Sequence, residues 1–223
     1  MKRENTALLL IDLQNESQYG IQGLDSVIEN ARHLIDQCRK NDIPVIYTRQ
    51  INRRDGLGLP YMDPVDEKGH PKFYRSDTEA VEIIDAVAPK NNDLVIDKYR
   101  WSGFYETSLD LMLKSLNVED LIIGGLVTDG CLMTSVFDGF FKDYRIHLVK
   151  DLCSTTNEGA HMASILIMAN WVYGIEIYNS VHMVQRLKGE KYHSWKSQAP
   201  DTLHFTPENM RAVFKKLDPS EHR

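Results

Sequence analysis

Residues 121–131 read Leu-Ile-Ile-Gly-Gly-Leu-Val-Thr-Asp-Gly-Cys. The first half is an apolar run of strand length, and beyond Cys131 the spacing becomes helical. A strand that passes into a helix in this way is the building unit of parallel α/β sheets. A thiol at that junction sits at the amino end of a helix dipole, which favours the thiolate, the nucleophilic form of cysteine. Two other apolar runs also end in a reactive side chain. Residues 7–11 run into Asp12, and residues 94–97 run into Lys98. An acid, a cation and a thiol at the ends of three strands point to one site.

Outward from this stretch, short apolar runs alternate with helical periodicity. The strand candidates are residues 6–12, 43–49, 93–97, 119–124, 145–150 and 173–178. Most are rich in Ile, Leu and Val with little alternation, as expected of parallel strands covered on both faces. Helices are predicted over about 26–40, with Ser26 and Glu29 as a capping box, and from Ser76 with Glu79 to the residue before Pro89. Three more are predicted: from about Thr107, from about Cys131 to Lys142, and from about Glu158 to Tyr173. In the last, Ala160, Ala163, Ser164, Ile167, Met168 and Trp171 form the expected core stripe. The fold class is therefore α/β, a three-layer α/β/α arrangement around a six-stranded parallel sheet. Right-handed crossovers bring the carboxyl ends of the strands to one edge, where ligands bind in such sheets. Asp12, Lys98 and Cys131 converge there by topology.

Two segments break the alternation. Residues 50–75 carry Gly56, Gly58, Pro60, Pro64, Gly69 and Pro71 together with Tyr61, Phe73 and Tyr74, and read as a lid or a subunit contact. Residues 189–223 form an extension to a domain spanning 1–188. In it Thr206-Pro207-Glu208 opens a short helix whose face, Met210, Val213, Phe214 and Leu217, needs a partner surface on this chain or on another subunit.

The 223 residues are 42% apolar, enough for a sizeable core, and the net charge is −6. No basic stripe with interleaved aromatics suggests nucleic acid, and no run has the length of a membrane span. The amino terminus lacks a signal-peptide pattern. Three cysteines, an odd number with no Cys-x-x-Cys pair, fit free thiols in the reducing cytoplasm. Cys38 and Cys153 read as core residues. A phosphatase loop would need arginine at 137, where Phe137 stands, and a dinucleotide fingerprint is absent after the first strand.

The chain resembles the isochorismatase-like cysteine hydrolases, which include nicotinamidases, N-carbamoylsarcosine amidases and ureidoacrylate and biuret hydrolases. The resemblance covers about residues 5–187. It rests on Ile-Asp-Leu-Gln-Asn at 11–15, Lys98 followed by Tyr-Arg-Trp-Ser-Gly-Phe-Tyr-Glu-Thr at 99–107, and Gly-Leu-Val-Thr-Asp-Gly-Cys at 125–131. It implies a triad of Asp12, Lys98 and Cys131, an oxyanion hole from the backbone N–H groups of Val127 and Cys131, and a cis peptide between Leu126 and Val127. It also implies a small-molecule substrate, held by side chains such as Tyr19, Gln50, Tyr99, Trp101 and Phe104, and a homodimer or homotetramer. Arg49 or Arg100 could meet a substrate carboxylate. Metal-binding relatives carry an aspartate and histidines after the second strand. Here Thr48-Arg49-Gln50-Ile51-Asn52 stands there, so no metal and no cofactor are expected. The presence of Cys131 favours cleavage of an amide, carbamoyl or ureide C–N bond over the vinyl ether of isochorismate. The competing readings are a hydrolase of a lactam or cyclic ureide, a binding protein that keeps the fold, and a redox sensor built on Cys131.

Overall fold

The first strand, β1 (Thr6–Ile11), is buried along its whole length. Each fully covered Leu or Ile in it contributes about 1.5–3 kcal/mol, so β1 anchors the centre of the molecule. The computed structural model describes residues 1–90 and 92–218, with Gln18 described by its backbone alone. After β1 come α1 (Leu24–Lys40), β2 (Val45–Gln50), β3 (Leu94–Lys98), α2 (Leu109–Ser115), β4 (Asp120–Leu126) and α3 (Met133–Phe141). The chain continues with β5 (Arg145–Ser154), α4 (Glu158–Trp171), β6 (Glu176–Tyr178), α5 (Ser180–Lys188), β7 (Trp195–Lys196) and α6 (Met210–Lys215).

The sheet order is β3-β2-β1-β4-β5-β6-β7. The six predicted strands are present and mutually parallel, and β7 adds a seventh, antiparallel to β6. Two residues of strand carry no readable periodicity, which is why β7 is invisible in the sequence. Helices cover both faces. Ala7, Leu9 and Ile11 face one core with α2, α3 and α4, while Leu8 and Leu10 face the other with α1 and α5. The chain winds one way from β1 through β2 to β3 and then returns to β4 on the opposite side of β1. The carboxyl ends of β1 and β4 therefore flank the point where the winding reverses, the usual crevice for ligands in such sheets.

Several helical expectations need correction. α1 begins at Leu24 behind Gly23, whose φ is +62°, with no side-chain cap. Glu29 pairs instead with Arg32 and His33. The helix predicted from Ser76 is two short 3-10 turns, Glu79–Val81 and Asp85–Val87. That stretch spends its backbone groups on the loop after β1: Asn15 N donates to Glu82 O and Ile84 N to Leu13 O, both at 2.9 Å. In α4 the buried set is Met162, Ser164, Ile165, Leu166, Met168, Ala169 and Asn170, while Trp171 is exposed. This helix is apolar on most sides, so spacing alone does not pick the buried face. The tail helix α6 starts at Met210, after a turn in which Asn209 Oδ1 accepts from Thr206 N. Its Val213, with Leu217 just beyond it, joins this chain's own core beside α4.

Candidate active site

The local backbone sets the site. Asp12 follows β1 directly with φ of +49°, a left-handed conformation that aspartate tolerates better than most residues and that turns the chain off the sheet edge. Gly125, with φ of +128°, lets β4 pass against β1. A Cβ there would stand 2.2 Å from Ile11 O. The peptide bond between Leu126 and Val127 is cis. Residues Thr128–Leu132 then form one wide π turn, in which Leu132 N donates to Val127 O at 3.2 Å, and α3 continues from it. Cys131 is carried in that turn.

Asp12, Lys98 and Cys131 meet. Lys98 Nζ lies 2.7 Å from Asp12 Oδ2, with the lysine fully buried and the aspartate 2% exposed. Thr48 donates to Asp12 Oδ1 at 2.7 Å, which turns the other oxygen to the lysine. Lys98 also donates to Gln50 Oε1 at 2.9 Å and to Arg100 O at 3.2 Å. Gln50 is fixed in turn, since its N–H donates to Gln14 Oε1 at 2.8 Å and Gln14 Nε2 donates back to Gln50 O at 3.0 Å. The Cys131 thiol lies close enough to the Asp12 carboxylate and the Lys98 ammonium for both charges to act on it. Burial lowers the Lys98 pKa, but the Asp12 carboxylate and the Cys131 sulfur outweigh it, and the balance holds the ammonium above its ordinary value.

The thiol departs from the sequence expectation. Burial first, and the Asp12 carboxylate second, push the Cys131 pKa up to about 12, against the opposing pull of Lys98. Both causes favour the protonated thiol beside the Asp12 carboxylate. Desolvation disfavours the thiolate that the sequence suggests.

The expected pocket residues divide. Gln50 is in the site through Lys98. Tyr99 is half-exposed and lines a small surface cleft with Leu57, Gly58, Arg100, Tyr105 and Glu106. Trp101 and Tyr19 are exposed. Phe104 is in the core, stacked on Tyr144 at 5.8 Å between ring centroids. Its place in the sequence, close to Lys98, reflects packing beneath the loop. Arg49 is held by Asp97 and Glu82, and Arg100 donates to the carbonyls of Gly58 and Tyr99. The half-exposed Val127 closes β4 just before the turn.

One group near the sulfur is hidden in the irregular segment. Burial pushes the Tyr74 pKa up to about 12, and the phenol lies close enough to Ser17, Asp12, Cys131 and Glu16 for them to act on it. Its backbone is pinned on both sides: its N–H donates to Glu16 Oε2 at 3.1 Å, and its carbonyl accepts from Asn52 N at 2.7 Å. Ser17 Oγ in turn donates to Asp12 O at 3.1 Å. Ser135 braces the turn that carries Cys131 by donating to Cys131 O at 2.6 Å while accepting from Gly103 N at 2.9 Å. Among the described residues no group of three or more His, Cys, Asp or Glu side chains gathers in a metal-holding arrangement, and no helix is long and apolar enough to cross a membrane.

Known proteins share the fold described above. A family model described as the isochorismatase domain matches residues 6–177. The ureidoacrylate amidohydrolase RutB of Acinetobacter baylyi is 27% identical over 202 residues, covering 76% of this chain and 80% of that protein. A protein of Arabidopsis thaliana named as a probable inactive nicotinamidase is 29% identical over 176 residues, covering 74% of this chain and 89% of its own. In fold, the crystal structure of a cysteine hydrolase from Pseudomonas syringae superposes with a TM-score of 0.76 at 22% identity, over 85% of this chain and 95% of that one. With the match running from the start of β1 almost to the end of β6 and enclosing Asp12, Lys98 and Cys131, the chain belongs to the isochorismatase family.

Proposed function

We propose that the protein is a cysteine amidohydrolase that cleaves a C–N bond of a small amide, carbamoyl or ureide substrate through a thioester. The observation that carries this reading is a thiol close to a buried carboxylate and a buried ammonium that pair with each other at 2.7 Å. Asp12 takes the thiol proton as the sulfur attacks the carbonyl carbon. The C–S bond forms, and the carbonyl oxygen becomes an oxyanion facing the N–H groups of Val127 and Cys131. One such donor is worth about 10²–10³ in rate. The oxyanion collapses, the C–N bond breaks, and Asp12 hands its proton to the departing nitrogen. Asp12, again a carboxylate, then deprotonates water, which cleaves the thioester and restores the thiol. Lys98 stays charged throughout and fixes the carboxylate.

The name of the Acinetobacter relative supports a C–N bond substrate. Because Arg49 and Arg100 are committed elsewhere, a neutral amide or ureide suits the site better than an acid-bearing one. Homo-oligomerisation through the segment 50–75, where Tyr61 and Met62 are exposed, belongs to the same proposal, as does a reducing compartment for the three unpaired cysteines. The test is ammonia release from a panel of amides, carbamoyl compounds and ureides. Turnover by the wild type, its loss in Cys131→Ser, and an acyl adduct on Cys131 by mass spectrometry are expected. Turnover that survives Cys131→Ser would overturn the reading.

A further inference from the structure

We infer that His161 is a positioning residue for the nucleophile turn and that the carboxyl-terminal helix α6, which lies beyond the family domain, holds it in place. The inference rests on the reading of Cys131 as the nucleophile. His161 belongs to α4, and its Nδ1 lies 2.9 Å from Thr128 Oγ1. Thr128 is fully buried and opens the wide turn that carries Cys131. The turn is closed at Val127 O, which accepts from Gly130 N and Leu132 N at 3.1 and 3.2 Å. The Thr128–His161 hydrogen bond thus ties the start of the turn to a neighbouring helix.

The other side of the imidazole meets α6. The ring of Phe214 stands edge-on to His161, with centroids 5.5 Å apart. Lys150 Nζ sits over the same phenyl ring at 4.7 Å and pairs with Asp218 just beyond the helix. Arg211 of α6 pairs with Glu158 at the start of α4. Val213 of α6 and Leu217 just after it are buried in the core beside α4. Phe214, His161 and Thr128 therefore form one packed line from the tail to the nucleophile turn. Burial and the Lys150 charge lower the His161 pKa against Asp129 and Glu158, so the ring is neutral, with one nitrogen to donate and one to accept. A neutral ring can hold Thr128 without placing a second cation beside the reaction.

The family domain match ends at residue 177, so α6 is an addition that reaches the reaction centre through packing. Small misplacements of a reacting group are costly, about 10²-fold for 1 Å, which gives such a brace a purpose.

The test reads the thiol itself and needs no substrate. Alkylation of Cys131 by iodoacetamide is followed by mass spectrometry in the full-length protein, with thermal unfolding measured alongside. Cys38 and Cys153 are buried and do not compete. In His161→Leu and Thr128→Val the alkylation rate is expected to fall about fivefold, the worth of one hydrogen bond. The double variant should be no slower than either single one, because both remove the same bond. His161→Asn, which can still bond Thr128, should recover most of the rate. Phe214→Ala should slow alkylation in the same direction.

A change below about twofold in cooperatively folding His161→Leu and Thr128→Val, less than one hydrogen bond supplies, overturns the role of His161. Additive effects of the two overturn the link through Thr128. An unchanged rate in Phe214→Ala overturns the role of α6. Should His161→Leu fail to fold, Thr128→Val against His161→Asn carries the comparison. These outcomes are separate from the fate of the amidohydrolase reading, which the turnover of Cys131→Ser decides.

Discussion

Lys98 and Asp12 make a pair that is worth little unless it is complete. A fully buried ammonium 2.7 Å from a nearly buried carboxylate has lost its water, and its remaining contacts are Gln50 Oε1 and Arg100 O. Removing one partner leaves the other uncompensated, at a cost of about 3–5 kcal/mol. Lys98→Met is therefore expected to lose about that much stability in urea unfolding, together with all turnover. Asp12→Asn combined with Lys98→Met should regain part of the stability and none of the turnover. If the single variant is as stable as the wild type, the pair is more hydrated than its burial indicates. At this scale the sequence is most informative where one residue serves both fold and chemistry. Asp12, Lys98 and Cys131 stand out because each ends an apolar run. Tyr74 does not, since no periodicity places a residue within a segment free of helix and strand. Phe104 misleads for the converse reason: proximity in sequence to Lys98 says nothing about which way a ring points.

At the scale of elements, the approach of β4 to β1 decides whether the carboxylate and the sulfur can touch. Gly125 is the residue that permits it. A methyl group there would meet Ile11 O at 2.2 Å and N at 2.5 Å, both backbone atoms that cannot step aside alone. Gly125→Ala should cost about 3 kcal/mol or more, the upper range of overpacking, and should slow Cys131 alkylation in whatever fraction folds. Calorimetry and labelling on the same samples check both, and a fully stable, fully reactive variant would contradict the close approach. The strands were legible because two-sided burial writes itself as unbroken apolar runs. Spacing is a weaker guide to helices. The steps Val81, Ile84 and Val87 suit an α-helix, yet they are met equally by two 3-10 turns whose backbone is bonded to the loop after β1. In α4 an apolar surface on nearly every side leaves the orientation to its neighbours.

Across the whole molecule, charge is concentrated at both sheet edges. Opposite the thiol, at the amino edge, buried Asp120 accepts from Arg145 at 3.0 and 2.8 Å and contacts His147 Nε2 at 2.6 Å. Burial raises the pKa of its carboxyl, but the bonds to His147 and Arg145 outweigh that and hold it well below the usual carboxylate range. A carboxyl depressed in the folded state adds stability above its unfolded value of about 3.9 and surrenders it as pH falls toward the folded value. Urea midpoints should therefore drop on acidification below about pH 4, and Asp120→Asn should flatten that drop while lowering the plateau near neutrality. Equal acid slopes in the two proteins would show that other carboxyls carry the effect. None of this network is readable from the sequence, because its members lie on two different strands and only the register brings Asp120 opposite Arg145.

The winding order divides the reagents between two stretches of chain. Asp12 and Lys98 arrive with β1, β2 and β3, all before the exposed turn at Asn117, whose φ is +54°, and Cys131 arrives after it with β4. Severing the polypeptide at that turn would separate Asp12 from Cys131, and on the proposed mechanism it leaves two inert fragments whose chemistry returns only when the central strands zip together again. The seam between β1 and β4 is thus also a natural break for a complementation reporter, with reactivity at one sulfur as its signal.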